Sequence, residues 1–190
     1  MDRNALSGFS LAEVLIVLVV ISILTFLVVP GFVDLVRSNR LTVQAHRFVT
    51  ALNLARSEAI RRNQRIDICV RAGDDSSTGC SDEQTWEKGW VVYADENANR
   101  KPDDHEIIQL FEPIAKGYAL RTNGRVSALV YRGDGMARRA KGGLPMMTFR
   151  LCAPDASDDN VDSRAREIVV SASGRLRLQK GRVDVTDCSL

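Results

Sequence analysis

The feature that most limits what this chain can become is the apolar run from Val14 to Val29, headed by Gly8-Phe9-Ser10-Leu11-Ala12-Glu13. About twenty residues pass with a single charge, Glu13, and as a helix rising ~1.5 Å per residue they cross a hydrocarbon core of ~30 Å. A carboxylate at that depth costs roughly 2.5–3.5 kcal/mol on insertion scales, so it calls for a partner or a purpose. Two ordinary readings explain the run less well. A cleaved secretory signal needs a shorter apolar core and a small-residue site behind it, and Val28-Val29-Pro30 is not such a site. A plain anchor leaves Glu13 without a role.

Glycine, then an aromatic residue, then an acid at the fifth position beyond the glycine, all in register with a long apolar helix, resembles the start of a type IV prepilin. Gly8, Phe9 and Glu13 match; Ser10 and Ala12 stand where Thr and Ile or Leu are commoner. The resemblance implies that residues 1–8 are a leader cut by a prepilin peptidase between Gly8 and Phe9, with Phe9 N-methylated. It makes 9–29 a transmembrane and filament-core helix, and it supplies Glu13 with a partner for assembly, the N-terminal amine of an adjacent subunit. An ion pair in lipid is far cheaper than a lone carboxylate.

The rest of the 190-residue chain is long enough for one domain with its own core. A net charge of +2 is too mild to argue for nucleic acid by itself, so any such case rests on local clustering. Four cysteines, Cys69, Cys80, Cys152 and Cys188, all lie beyond the span. An even number in an exported domain points to two disulfides out of three possible pairings, and proximity favours Cys69–Cys80 and Cys152–Cys188. Four free thiols are the alternative. No metal spacing is present, and neither a metal nor a cofactor is expected.

Beyond Pro30-Gly31, which should kink or loosen the helix, helical periodicity continues over 30–63. Phe32, Leu35, Val36, Ala45, Phe48, Val49, Leu52, Ala55 and Ala59 form one apolar stripe, read as a core face, and Glu58 can pair with Arg62. The helix is expected to end near Asn63. The period then becomes two over 64–190. Strands are expected at Ile66–Val70, Gly89–Ala94, Glu106–Phe111, Tyr118–Arg121, Ala128–Arg132, Met146–Cys152 and Glu167–Ser171, with Arg175–Gln179 closing a hairpin through Ala172-Ser173-Gly174. Ala72–Glu83 and Pro154–Ser163 read as loops. The fold class is α+β: a long N-terminal helix with an antiparallel sheet on its C-terminal half.

Leu54-Ala55-Arg56-Ser57-Glu58-Ala59-Ile60, Gly89-Trp90-Val91-Val92-Tyr93-Ala94-Asp95 and Ser173-Gly174-Arg175 resemble the GspH/FimT branch of minor pilins and pseudopilins. That resemblance implies low-abundance subunits that help start assembly with other major and minor pilins. It implies an inner-membrane protein of one span with its C-terminal domain in the periplasm, and a pilus or pseudopilus when assembled. One subgroup, the FimT-like proteins of competent bacteria, binds DNA through a C-terminal Gly-Arg-x-Arg, which Gly174-Arg175-Leu176-Arg177 matches.

The residues themselves allow such a role. Strand alternation puts Arg175, Arg177 and Gln179 on one face at roughly 6.6 Å per two residues, so two guanidiniums can reach neighbouring phosphates. With Lys180 and Arg182, the segment from Gly174 to Arg182 carries four cations and no acid. A solvated, aggregation-resistant strand edge is the alternative. Arg138, Arg139 and Lys141 form a second basic stretch, read as a loop, that could extend the patch. Phosphate contacts carry no base readout, so little sequence preference is expected. The competing function is a purely structural subunit that primes pilus or pseudopilus assembly without DNA.

Asp95, Asn97, Asn99, Asp103 and Glu106 mimic the spacing of a calcium loop, but Arg100 takes the turn position that wants glycine, and a strand precedes the loop. A solvated hairpin loop is the expectation. Enzymatic function is not expected: His46 and His105 are the only histidines, and no nucleophile elbow, P-loop or dinucleotide motif is present.

Overall fold

A computed structural model describes residues 10–73, 79–124, 126–140, 146–154, 156 and 164–180, and within these not the side chains of 27–30. The chain forms two units, divided between Asn39 and Arg40.

Helix α1 is assigned over Leu11–Arg62 and is unbroken at Pro30 and Gly31, so the expected loosening there does not interrupt it. In the first unit it opens at Ser10, whose carbonyl accepts from Glu13 N at 3.0 Å and Val14 N at 3.2 Å. Glu13 therefore sits in the first turn, where the helix dipole favours an anion. Residues 11–26 are all exposed, and the most apolar window has a mean hydropathy of 3.0, long and apolar enough to cross a membrane. The two hydroxyls in this stretch satisfy themselves on the backbone, Ser22 Oγ on Val19 O at 2.7 Å and Thr25 Oγ1 on Ile21 O at 2.8 Å. Neither then leaves its hydroxyl donor unpaired on this apolar stretch. Phe32 and Leu35, read as opening the core stripe, are exposed at 62% and 67%. The stripe that meets a core begins further on.

In the second unit that stripe is Leu41, Ala45, Phe48, Ala51, Leu52, Ala55 and Ala59, all buried and spaced to share one helix face. The helix stops where expected. Asn63 adopts a left-handed φ of 50°, Asn63 N bonds Ile60 O at 3.3 Å, and Gln64 N bonds Ala59 O at 3.2 Å. This doubly bonded left-handed cap is a shape that Asn tolerates better than most residues. Glu58 takes Arg62 Nε at 2.7 Å, the expected pair, and Arg61 Nε at 3.0 Å.

Nine strands follow among the described residues: β1 (Ile66–Val70), β2 (Trp90–Ala94), β3 (Ile107–Phe111), β4 (Ala119–Thr122), β5 (Ala128–Tyr131), β6 (Ala137–Arg139), β7 (Met147–Cys152), β8 (Ala165–Val170) and β9 (Leu176–Lys180). They form two antiparallel sheets, a five-stranded one in the order β3-β2-β1-β5-β6 and a four-stranded one in the order β4-β7-β8-β9. A 3-10 turn, Trp86–Lys88, precedes β2. Eight strands match expectation to within two residues at each end. The ninth, β6, corrects the reading of Arg138 and Arg139 as loop residues: Val130 pairs with Arg138 and Leu129 with Arg139.

The core joins α1 to both sheets. The Phe48 ring lies 4.9 Å from Trp90 of the first sheet, 4.7 Å from Phe149 of the second and 5.4 Å from Trp86, all edge-on. Such pairs add roughly 0.5–1.5 kcal/mol each beyond the area they bury. Strand β1 is buried on both faces. Ile66, Ile68 and Val70 meet this core, while Cys69 joins Val91 and Tyr93 in a second cluster. The Cys69–Cys80 disulfide is present. Cys152 is also disulfide-bonded; its expected partner, Cys188, lies outside the described residues.

Candidate functional site

The Ala172-Ser173-Gly174 turn sits between α1 and the β5–β6 connection. Gly174 has a φ of +72°, and a Cβ there would come 2.1 Å from Gly135 O, 3.1 Å from Arg56 Nε and 3.2 Å from Tyr131 Cε1. Only glycine satisfies both the conformation and the space. The glycine of the Gly-Arg-x-Arg stretch is thus required by packing. Arg56 Nη2 donates to Ser173 O at 3.1 Å, and Ala137 N donates to Ala172 O at 3.1 Å. Ser171 closes the turn, its N on Arg175 O at 3.0 Å and its Oγ accepting from Arg175 N at 3.1 Å.

From this fixed turn β9 runs along the edge of its sheet. Leu176 and Leu178 pack on the core, and Arg175, Arg177 and Gln179 are exposed on the other face, the alternation expected. Lys180 departs from that set. It pairs with Arg166, whose neighbours in register alternate to the core side, so Lys180 points away from Arg177. Arg182 lies outside the described residues.

The outer face of the four-stranded sheet is not free of acid, which corrects the impression from the local sequence. Its register places Arg121, Arg150, Glu167 and Gln179 in one row from β4 to β9. Glu167 is 8% exposed; it accepts from Arg150 Nε at 3.3 Å and from Gln179 Nε2 at 2.9 Å. At the far edge Arg121 pairs with Glu87 of the 3-10 turn. Arg175 and Arg177 remain the outward cations of the hairpin.

The second basic stretch is only partly brought in. Ala137 touches the turn at Ala172, so β6 begins beside the hairpin. Arg139, however, donates from Nη2 to Met146 O at 3.2 Å, and its Nη1 stands 2.9 Å from where a Cβ on Gly124 would lie. Its Nε is buried without a partner. Arg138 is half-buried opposite Val130. Lys141, like Gly8 and Phe9, lies outside the described residues.

The Asp95 loop is closed by its own side chains. Asp95 Oδ1 accepts from Arg100 N at 3.2 Å; Glu106 Oε1 accepts from Glu96 N at 2.9 Å and its Oε2 from Asp103 N at 3.2 Å. Asp103 Oδ2 takes Asn97 Nδ2 at 2.7 Å. Among the described residues no group of three or more His, Cys, Asp or Glu could hold a metal ion. Arg65 ties this loop to β1, bonding Asp67 through Nε at 2.7 Å and Nη2 at 2.6 Å and approaching Asp95 at 3.4 Å. Burial holds the Asp67 carboxyl above its ordinary range, against the opposing pull of Arg65.

Sequence reasoning missed two members of this neighbourhood, Arg56 and Glu167. Both lie in other segments, and the register that brings them to β9 is a tertiary property. Arg56 left one trace, a cation in the helix segment Leu54–Ile60 that shares a family look with the hairpin.

The model of the family described as type II transport protein GspH matches residues 44–174, which ends at the turn glycine and leaves Arg175 and Arg177 just outside. Two crystal forms of the type IV minor pilin FimU of Pseudomonas aeruginosa resemble the fold. One has a TM-score of 0.57 at 19% identity over 80% of this chain and 96% of that one; the other has a TM-score of 0.50 at 17% identity over 80% and 98%. The minor pseudopilin EpsH of the Vibrio cholerae type 2 secretion system is similar with a TM-score of 0.50 at 13% identity, over 74% of this chain and 97% of that one. No curated protein matches the chain.

Proposed function

Because the chain belongs to the GspH family of minor pilins and pseudopilins, we propose that it is a minor type IV pilin that also binds DNA without sequence preference, for uptake in natural transformation. The observation that carries the DNA contact is the exposure of Arg175 and Arg177 on one face of an edge strand whose turn is pinned at Gly174. Guanidiniums two residues apart on a strand, at roughly 6.6 Å, match the reach between successive phosphates.

Assembly rests on the other end of the chain. Helix α1 begins with an exposed apolar stretch that carries Glu13 in its first turn. Cleavage between Gly8 and Phe9 by a prepilin peptidase, methylation of Phe9, and pairing of Glu13 with a neighbouring subunit's amine follow from the prepilin pattern. The Cys69–Cys80 disulfide fits a domain in an oxidising compartment, the periplasm. Mass spectrometry of the mature protein tests this half: a methylated Phe9 start supports it, and an intact Met1 start contradicts it. Glu13→Ala should insert in the membrane no less well yet enter filaments less.

A second reading, a structural subunit that primes pilus or pseudopilus assembly without DNA, has its own support. Packing alone accounts for Gly174, so the match to Gly-Arg-x-Arg can arise without a ligand. A mobility shift with the full-length chain in nonionic detergent separates the two. Binding that is lost in the Arg175→Ala/Arg177→Ala variant favours the first reading, and no binding at low salt favours the second.

A further inference from the structure

We infer that Glu167 is a built-in counter-charge that sets how strongly the outer face of the four-stranded sheet holds a polyanion; the inference rests on the DNA contact proposed for Arg175 and Arg177. Register carries the argument. Glu167 lies directly across from Gln179, and Val169 directly across from Arg177. Arg177 is therefore the diagonal cross-strand neighbour of Glu167, at about 7–8 Å. That is within a Debye length of about 8 Å at physiological salt, and the carboxylate is too buried for solvent to screen it fully. Among the described residues of the two rows Arg121-Arg150-Glu167-Gln179 and Thr148-Val169-Arg177, Glu167 is the single acid.

The contacts of Glu167 separate its charge from its role as a hydrogen-bond acceptor. Its oxygens take Arg150 Nε and Gln179 Nε2, and a neutral amide could serve as acceptor for either. What only the carboxylate adds is negative charge beneath the path a phosphate backbone takes over Gln179 and Arg177. It repels the strand and offsets part of the field of the arginines. The expected consequence is a weak, readily reversed hold by one subunit, with tight capture arising from several copies along a filament.

The test compares wild type, Glu167→Gln, Glu167→Met and Glu167→Gln/Arg177→Ala as full-length chains in nonionic detergent, titrated with a labelled duplex oligonucleotide across a salt series. Glu167→Gln keeps the size and one acceptor; Glu167→Met keeps the length and removes the charge together with both acceptors. Both should bind about 3–10-fold more tightly at physiological salt, with a steeper log–log salt dependence, and adding Arg177→Ala should reverse the gain. A merely structural Glu167 would change the melting temperature and leave the salt slope alone. Binding by the neutral variants that equals or falls below that of a binding wild type overturns the inference and leaves the proposed function standing. Binding seen only in the neutral variants supports the inference and overturns the proposed DNA binding by the wild-type chain. If neither wild type nor variants bind at low salt, both fail.

Discussion

Arg56 on α1 donates from Nη2 to the carbonyl of Ser173 at 3.1 Å, tying the helix to the turn that presents Arg175 and Arg177 across 117 residues of sequence. A charge-assisted bond of this kind contributes roughly 1.5–3 kcal/mol when well shielded, and half-exposure of Arg56 places it at the lower end. Arg56→Ala is expected to cost about 1–2 kcal/mol in denaturant unfolding and to speed amide exchange at Ser171 and Gly174. Unchanged exchange in the turn would contradict the tie.

Gly174 and Arg175 are neighbours with opposite roles. Gly174→Ala forces a Cβ toward Gly135 O at 2.1 Å in a left-handed backbone, so it should destabilise the domain by roughly 2 kcal/mol or more. Arg175→Ala removes an exposed side chain and should stay within about 0.5 kcal/mol of wild type. Thermal unfolding of the two variants side by side checks the contrast.

The Cys69–Cys80 bond closes a short loop, with a sequence separation of 11, and should contribute about 3 kcal/mol in the chain-entropy picture. The Cys69→Ala/Cys80→Ala variant should lose about that much. Non-reducing peptide mapping should recover Cys69–Cys80, and it also tests the proposed Cys152–Cys188 link.

Hydrogen bonds from Arg61 and Arg62 hold the Glu58 carboxyl down to about 2. A carboxylate depressed in the folded state contributes stability that is fully present above its unfolded value, about 4.5, and is lost as pH falls through the folded value. Wild type should therefore exceed Glu58→Gln in melting temperature at neutral pH. The two should converge between pH 4.5 and pH 2, and a gap that stays constant with pH would contradict the assignment.

How far the sequence reaches is visible in particular elements. Asn63 ends the helix where read because a left-handed residue is needed there and periodicity changes just beyond it. The alternation of Arg175, Arg177 and Gln179 with Leu176 and Leu178 was legible because one face of β9 is buried and the other is not. β6 was not: its residues Ala137, Arg138 and Arg139 carry no apolar period, and the strand exists because β5 offers it a partner edge. Lys180 was grouped with the arginines by proximity, and the pleat sends it to the opposite face. Glu167 was invisible as a neighbour of Arg177 because register between β8 and β9 is set by the hairpin turn and the core pattern, not by local composition.

The most direct test of the account is the salt dependence of DNA binding by the full-length chain. Affinity should fall with rising salt along a log–log slope of about −0.9 per phosphate neutralised on duplex DNA. It should be alike for unrelated sequences, and each of Arg175→Ala and Arg177→Ala should flatten the slope by about one unit while the fold is kept. Equal binding by wild type and the double variant at physiological salt, or no binding by wild type at low salt, would contradict the claim that this hairpin is a DNA contact.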